Sequence, residues 1–396
     1  MKREIVKGIY YVGVNDRQKT LFENYIPIPN GVAYNSYLIM DEKVTLIDTV
    51  DVSMVNLFVQ KLEEVLEGGK IDMLVVNHME PDHAGSIGLL KQLYPEMTIV
   101  GNAKTFGMLK GYYPQMDYSR VLEVKEGDSV VLGKRKLTFY MAPMVHWPEV
   151  MVAYEDTDKI LFSADAFGTF GTLDGGIIDE SMNTDKYWDE MRRYYACIVG
   201  KFGKATQAAI QKLGGLEIKL ICATHGPILK QHIAKVVGLF DKWSRYEAEE
   251  KGLVIAYASM YGNTEQLAEA VAEGAVSAGL KNVVVYNVSK TDASYILADV
   301  FKYNALVLAS PTYMNEAYPL MDSLMHKIEQ RGIPNRYLGL MGSCTWAGGA
   351  LKKLTSFAET MHWELVGETV DNRQGVSADD YQHAFELGKM VANRLM

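Results

Sequence analysis

The chain has 396 residues, 48% of them hydrophobic and 22% charged, with a formal charge of −9. That is more than one ordinary domain holds, so two domains of a soluble globular protein are expected. The acidic balance speaks against nucleic acid as a partner, because neutralising phosphates needs a basic face.

The start, Met1-Lys2-Arg3-Glu4-Ile5, has no apolar signal region, and no apolar run is long enough for a bilayer. No membrane association is expected. The isolated cysteines Cys197, Cys222 and Cys344 fit a reducing cytoplasm without a disulfide framework. There is no C-x-x-C pair, so no cysteine-bound iron or zinc module is expected on the chain.

In chain order, Val44–Asp48 and Met73–Val76 read as apolar strands, with helical spacing over Met54–Leu66 and Ser86–Leu93. Several strands, Leu137–Tyr140 and Ile160–Phe162 among them, follow one another between Val121 and Ala164 with only turns between. Ile218–Cys222 adds another. Stacked sheets with helices outside are the expectation. The charged stretch Lys242–Gly252 marks the boundary, giving domains 1–249 and 250–396. From there strands (Leu253–Ala258, Val283–Tyr286, Ala305–Ala309, Tyr337–Met341) alternate with helices (Thr264–Gly279, and finally Tyr381–Leu395). That alternation predicts a parallel sheet covered on both faces.

Four separated pieces of the first part offer metal ligands. Val76-Asn77-His78-Met79-Glu80-Pro81-Asp82-His83 follows an apolar strand, and Pro81 stiffens its loop. His146, Asp165 and His225 each lie just beyond another strand. Any one of these alone would read as a surface or capping residue. The H-x-E-x-D-H run is different, because four ligands within six residues are rare by chance. Together the groups can serve two metals with Asp165 bridging, and imidazole mixed with carboxylate suits iron, manganese or zinc.

The first part resembles the metallo-β-lactamase fold, an αββα sandwich whose hydrolases carry H-x-H-x-D-H. Glu80 stands here at the second histidine. With Asp82 and Asp165 it places three negative charges on the pair, which favours harder ions and a ferric state. This departure resembles the flavodiiron proteins, or A-type flavoproteins. The resemblance implies that His78, Glu80 and His146 hold the iron nearer a flavin, that Asp82, His83 and His225 hold the other, and that Asp165 is shared.

The second part supplies the flavin constellation. Ser259-Met260-Tyr261-Gly262-Asn263-Thr264 lies between a strand and a helix, where backbone N–H groups and the helix N-terminus favour an anion. No lysine follows the glycine, so this is not the nucleoside-triphosphate loop. It fits one phosphate monoester held mostly by neutral donors. Two later strand ends carry Ser310-Pro311-Thr312-Tyr313-Met314-Asn315 and Ser343-Cys344-Thr345-Trp346-Ala347-Gly348. Ligands of open α/β sheets gather at such ends, and Tyr313 and Trp346 are placed to stack on a ring. The three loops in this order resemble flavodoxin, a doubly wound parallel sheet, and imply FMN.

The family resemblance covers nearly the whole chain. It implies an oxidoreductase in which FMN passes electrons to two non-haem irons that reduce O2 to water or NO to N2O. It further implies a head-to-tail homodimer, or a dimer of such dimers, and an external donor that is a rubredoxin-type protein or a reduced deazaflavin. Many relatives carry a histidine shortly before the stretch matching Gly31–Ile39, where this chain has Phe22-Glu23-Asn24-Tyr25-Ile26. Tyr195 is the candidate for the contact to the gas. Two other readings stay open: a zinc hydrolase with an appended flavodoxin domain, and an electron carrier whose metal site is structural.

Overall fold

The computed structural model describes residues 2–396. The chain divides into two compact units, 1–194 with 204–241, and 195–203 with 242–396. The stretch 195–203 therefore goes with the second unit, an interleaving that a single cut at 249/250 does not describe.

The first unit stacks two sheets. One runs in the order Glu4–Val6, Ile9–Tyr11, Tyr37–Ile39, Thr45–Ile47, Met73–Val75, Thr98–Gly101, Val121–Glu123. The other runs Ser129–Val131, Lys136–Met141, Met151–Glu155, Ile160–Phe162, Leu220–Cys222. Between them lies a continuous apolar layer that includes Ile39, Ile47, Val75 and Val100 from one sheet and Phe139, Met151, Phe162 and Cys222 from the other. Interdigitation of two inner faces removes this surface from water and fixes the register of both sheets. The register matters for chemistry. Met73–Val75 pairs in parallel with both neighbours, and Ile160–Phe162 pairs in parallel with Leu220–Cys222. Their carboxyl ends are where the predicted ligands begin.

The second unit is a parallel sheet in the order Val283–Asn287, Glu250–Tyr257, Tyr303–Tyr313, Tyr337–Cys344, with Glu364–Leu365 and Val370–Arg373 both alongside the last. Chain order reverses at Glu250–Tyr257, the hallmark of a doubly wound fold. Helices Asn263–Ser277 and Ala378–Leu395 cross so closely that a Cβ on Gly274 would lie 1.9 Å from the Phe385 carbonyl oxygen, and one on Gly388 2.0 Å from that of Val271. Only glycine permits that approach. The final helix begins with a reciprocal capping box between Ser377 and Asp380.

The strands expected from the sequence appear, several of them longer: Tyr303–Tyr313 and Tyr337–Cys344 extend into the loops expected to hold the flavin. Among the described residues no helix is long and apolar enough to cross a membrane.

Candidate metal centre and flavin cradle

Local structure explains how the H-x-E-x-D-H run converges. Chain direction changes after Met73–Val75, where the Asp48 carboxylate accepts from the backbone N–H of Asn77 at 2.7 Å and from its side-chain amide at 3.1 Å. Glu80 then sits at the N-cap of the short helix Pro81–Ala84, with Pro81 in the first turn. Thr49 clamps the helix by donating both its N–H and its hydroxyl to the His83 carbonyl. His225 is followed by Gly226 at φ +78°, where a Cβ would come within 2.3 Å of the Thr169 methyl. The turn that aims His225 inward thus requires glycine.

All seven predicted ligands are buried. They fall into two groups, His78, Glu80, His146 and Asp165 in one, Asp82, His83 and His225 in the other, each with its ligand atoms within 4.8 Å of one another. Asp165 reaches both groups: its Oδ2 lies 3.1 Å from His146 Nε2, and its Oδ1 3.0 Å from His83 Nε2.

The ring nitrogens are assigned by their partners. Carbonyls only accept, so the 2.8 Å contact between His225 Nδ1 and the Ala33 oxygen makes Nδ1 the donor and leaves Nε2 facing the site. Glu149 does the same for His78, lying 2.8 Å from its Nδ1 and accepting from Met79 N–H as well. The Nε2 atoms of His78, His83 and His225 and both carboxylate oxygens of Asp82 are buried without a hydrogen-bond partner among the described residues. Each such atom costs on the order of 1–3 kcal/mol. Two metal ions satisfy these atoms at once, and the mixed nitrogen and carboxylate donors suit iron.

The electrostatics agree. Burial works against charging Glu80, yet the hydrogen bond from His146, 2.9 Å away, and the neighbouring His78 imidazole pull its carboxyl far down. Burial likewise opposes an ionised Asp165, and the imidazoles of His83 and His146 hold it well below the usual carboxylate range. In turn, burial would lower the histidines, but Asp82 and Asp165 push His83 up to about 9, and Asp165 and Glu80 push His146 up to about 9. Without an ion the carboxylates keep protons on the rings. Metal binding must displace those protons.

Tyr195 is placed elsewhere. Its ring lies 5.2 Å from Trp243 and 5.8 Å from Phe301, in the second unit. Tyr194, at the end of helix Asp185–Tyr194, turns to the metal ligands instead: its ring meets His225 at 5.6 Å. Burial, then the carboxylates of Asp165, Glu80 and Asp82, raise its phenol far above the ordinary value. Adjacent helical residues point about 100° apart, so only one of the pair faces the site, and the pattern Tyr-Tyr does not say which. Sequence reasoning also missed Glu149 and Asp48, whose roles depend on a long-range fold. Glu23, at the Leu21–Phe22/Ile26–Pro27 hairpin tip, bears on Glu80. Partial burial and that neighbouring carboxylate push Glu23 up to about 7.

In the second unit the three predicted loops emerge at the carboxyl ends of adjacent strands, with Tyr257 opposite Ala309 and Pro311 opposite Ser343. Gly262 at φ +96° caps helix Asn263–Ser277, and its N–H donates to the Ser259 hydroxyl at 3.0 Å. Not every hydroxyl there faces outward. Thr264 and Ser343 bond to each other at 2.8 Å, Thr312 accepts from Gly349 and Ala350 N–H, and Ser310 accepts from Tyr318 N–H. These tie the three loops into one frame. The frame carries Tyr261, 92% exposed, and Trp346, 82% exposed, with Tyr313 and Met314 also exposed. Large aromatics left in water around a helix N-terminus fit a phosphate-bearing, flat aromatic cofactor that would cover them. Asn315 sits at φ +64° in the exposed turn between strands, and Cys344, Thr345, Ala347 and Gly348 form the third loop.

Fold and site together define a two-metal carboxylate–histidine centre on a β-lactamase scaffold, joined to a flavin-binding domain. Residues 32–226 match the family model "ODP family beta lactamase", and residues 255–388 match "Flavodoxin". The chain is 32% identical to a nitric oxide reductase of Moorella thermoacetica over 396 residues, covering 99% of this chain and 98% of that one. It is 30% identical to the anaerobic nitric oxide reductase flavorubredoxin of Escherichia coli over 367 residues, 91% of this chain and 76% of the relative. Rubredoxin oxygen:oxidoreductase from Desulfovibrio gigas superposes with a TM-score of 0.95 at 28% identity, covering 100% of this chain and 98% of that one. The chain belongs to the flavodiiron protein family. It is an oxidoreductase whose cofactors are FMN and two non-haem irons.

Proposed function

We propose that this protein reduces O2 to water or NO to N2O, with the diiron chemistry on residues 1–249 and FMN on residues 250–396. When bound, the irons supply electrons and Lewis acidity, and FMN supplies exchange between one- and two-electron transfer. The rest is the work of the chain. His78, Glu80 and His146 hold one iron, Asp82, His83 and His225 the other, and Asp165 lies between. Glu149 and the Ala33 carbonyl hold His78 and His225 in the tautomer that turns Nε2 inward. Tyr194 presents a neutral phenol beside the ligand carboxylates. Ser259, Met260, Tyr261, Gly262, Asn263 and Thr264 form the FMN phosphate loop. Ser310, Pro311, Thr312, Tyr313 and Asn315, with the loop from Ser343 to Gly348, border the ring.

The observation that carries this reading is the buried cluster of orphaned ligand atoms with Glu80 where the zinc hydrolases have histidine. The third carboxylate argues against the hydrolase alternative. The names of the relatives support NO or O2 as substrate and a rubredoxin-type redox partner. A reduced deazaflavin is the other donor, and the cytoplasm the expected place. Within the family reading, a head-to-tail homodimer, or a pair of such dimers, brings one subunit's FMN to the other's irons.

Anaerobic reduction followed by rapid mixing with O2, and separately with NO, tests the proposal. Joint reoxidation of flavin and iron by at least one gas is expected. A reduced, iron-loaded protein inert to both would overturn it.

A further inference from the structure

One cavity of the first unit is lined from the same segments that carry the ligands. It lies between the strands Met151–Glu155 and Ile160–Phe162 and the helices Gly203–Leu213 and Ile233–Ser244, and measures about 20 Å³. Val152 faces it from the sheet, Ala209 and Leu213 from one helix, and Phe240 from the other. Val145 and Ala166 complete the wall, and each is the sequence neighbour of a ligand. Val145 lines the cavity while His146 joins the metal cluster, and Ala166 lines it while Asp165 joins the cluster. The same two stretches of backbone therefore border both spaces. They are bent sharply, with φ +64° at Met144, +51° at Ala164 and +69° at Phe167, values that residues other than glycine adopt rarely. The wall presents only apolar surface. Ser163 spends its hydroxyl on the Ala166 carbonyl at 2.8 Å. The space exceeds the roughly 10–15 Å³ that one water needs, but a buried water also needs several polar partners. An apolar cavity that water avoids takes up apolar guests such as xenon.

We propose that this cavity is a holding site for the gas substrate, an uncharged and nearly apolar diatomic molecule, beside the part of the metal site at His146 and Asp165. The inference deepens the gas-reductase reading and rests on it. Small uncharged gases leave water readily for apolar space. Anions do not, because stripping water from a charge costs far more than an apolar wall returns. The cavity thus concentrates gas next to the centre while refusing both water and anionic ligands. Ala209 and Ile210, also in its wall, are only half-buried, which sets the outer end near solvent. Gas enters on that side and leaves past Val145 and Ala166 as side chains move.

The test compares wild type, Ala209→Leu and Leu213→Ala as iron- and FMN-loaded full-length protein. Crystals are pressurised with xenon. In solution, reduced protein is mixed rapidly with limiting O2 and with limiting NO, and azide association is the control. Wild type should hold xenon between Val152, Ala209 and Phe240. Ala209→Leu fills the space, so xenon should be lost and the reaction with gas should slow severalfold, while iron content and azide association stay unchanged. Leu213→Ala enlarges the space and should raise xenon occupancy. A wild type without xenon in the cavity overturns the holding site, and so does an unchanged gas rate in Ala209→Leu. Equal slowing of gas and azide overturns it too, because an apolar cavity acts on the gas alone. If Ala209→Leu does not fold, Leu213→Ala decides, and unchanged xenon occupancy there is the contrary result. If wild type consumes neither gas, the functional reading falls, while xenon still decides whether the cavity takes apolar guests.

Discussion

The two cofactor sites are built on opposite physical plans. The metal centre is a buried cluster whose ligand atoms are aimed by strand ends, a capped short helix and partners on their far sides. The flavin cradle is an exposed rim, stiffened by hydroxyls that bond one loop to the next, with its largest side chains left in water. A buried ionic cluster tolerates few changes, because removing one partner strands the others. An exposed rim spreads its binding over many backbone and side-chain groups. The chemistry matches the plan: ions need fixed donors, while a flat cofactor needs a covered face.

The comparison breaks most visibly at His83. His83→Asn should empty the iron site and abolish gas reduction, by on the order of 100-fold or more, while FMN stays bound; iron assay and the flavin spectrum check it. The mirror experiment is Asn263→Glu. A bulky anion at the first residue of helix Asn263–Ser277 should expel FMN and leave iron content unchanged, as flavin fluorescence and metal assay would show. Loss of both cofactors from either variant with the fold intact would mean the sites are not independent.

Glu149→Gln sharpens the account of the buried site. It removes the carboxylate that orients His78, and iron affinity should fall about 10–100-fold, read by competition with a chelator.

Metal-free protein gives the pH arm. His83 and His146 have folded values of about 9, above an unfolded value near 6.5. Their stabilisation is therefore fully present below about pH 6.5 and is lost as pH rises through about 9. The melting temperature of the iron-free protein should fall over that interval, and iron loading should flatten the fall. The smallest effect is at the exposed rim: Trp346→Ala should weaken FMN severalfold without touching iron.

Much of both sites was legible in the sequence for one reason. Ligands of this kind sit at strand ends, and the apolar strands Met73–Val75, Ile160–Phe162 and Leu220–Cys222 announce themselves. His78 to His83 are local, so their spacing speaks directly. What stayed hidden depends on distance or direction. Glu149 meets His78 from 71 residues away. Tyr194 and Tyr195 differ only in which way a helix turns them. The early strands from Glu4 to Ile39 are three residues or shorter, too brief for a period to show. The assignment of 195–203 to the second unit follows from packing of Tyr195 on Trp243 and Phe301, which no composition shift marks.

Metal and flavin analysis of anaerobically purified protein tests the central claim most directly. Two irons and one FMN per chain, with the iron lost and the flavin kept in His83→Asn, is the predicted result. Zinc filling the centre of a colourless protein would contradict it.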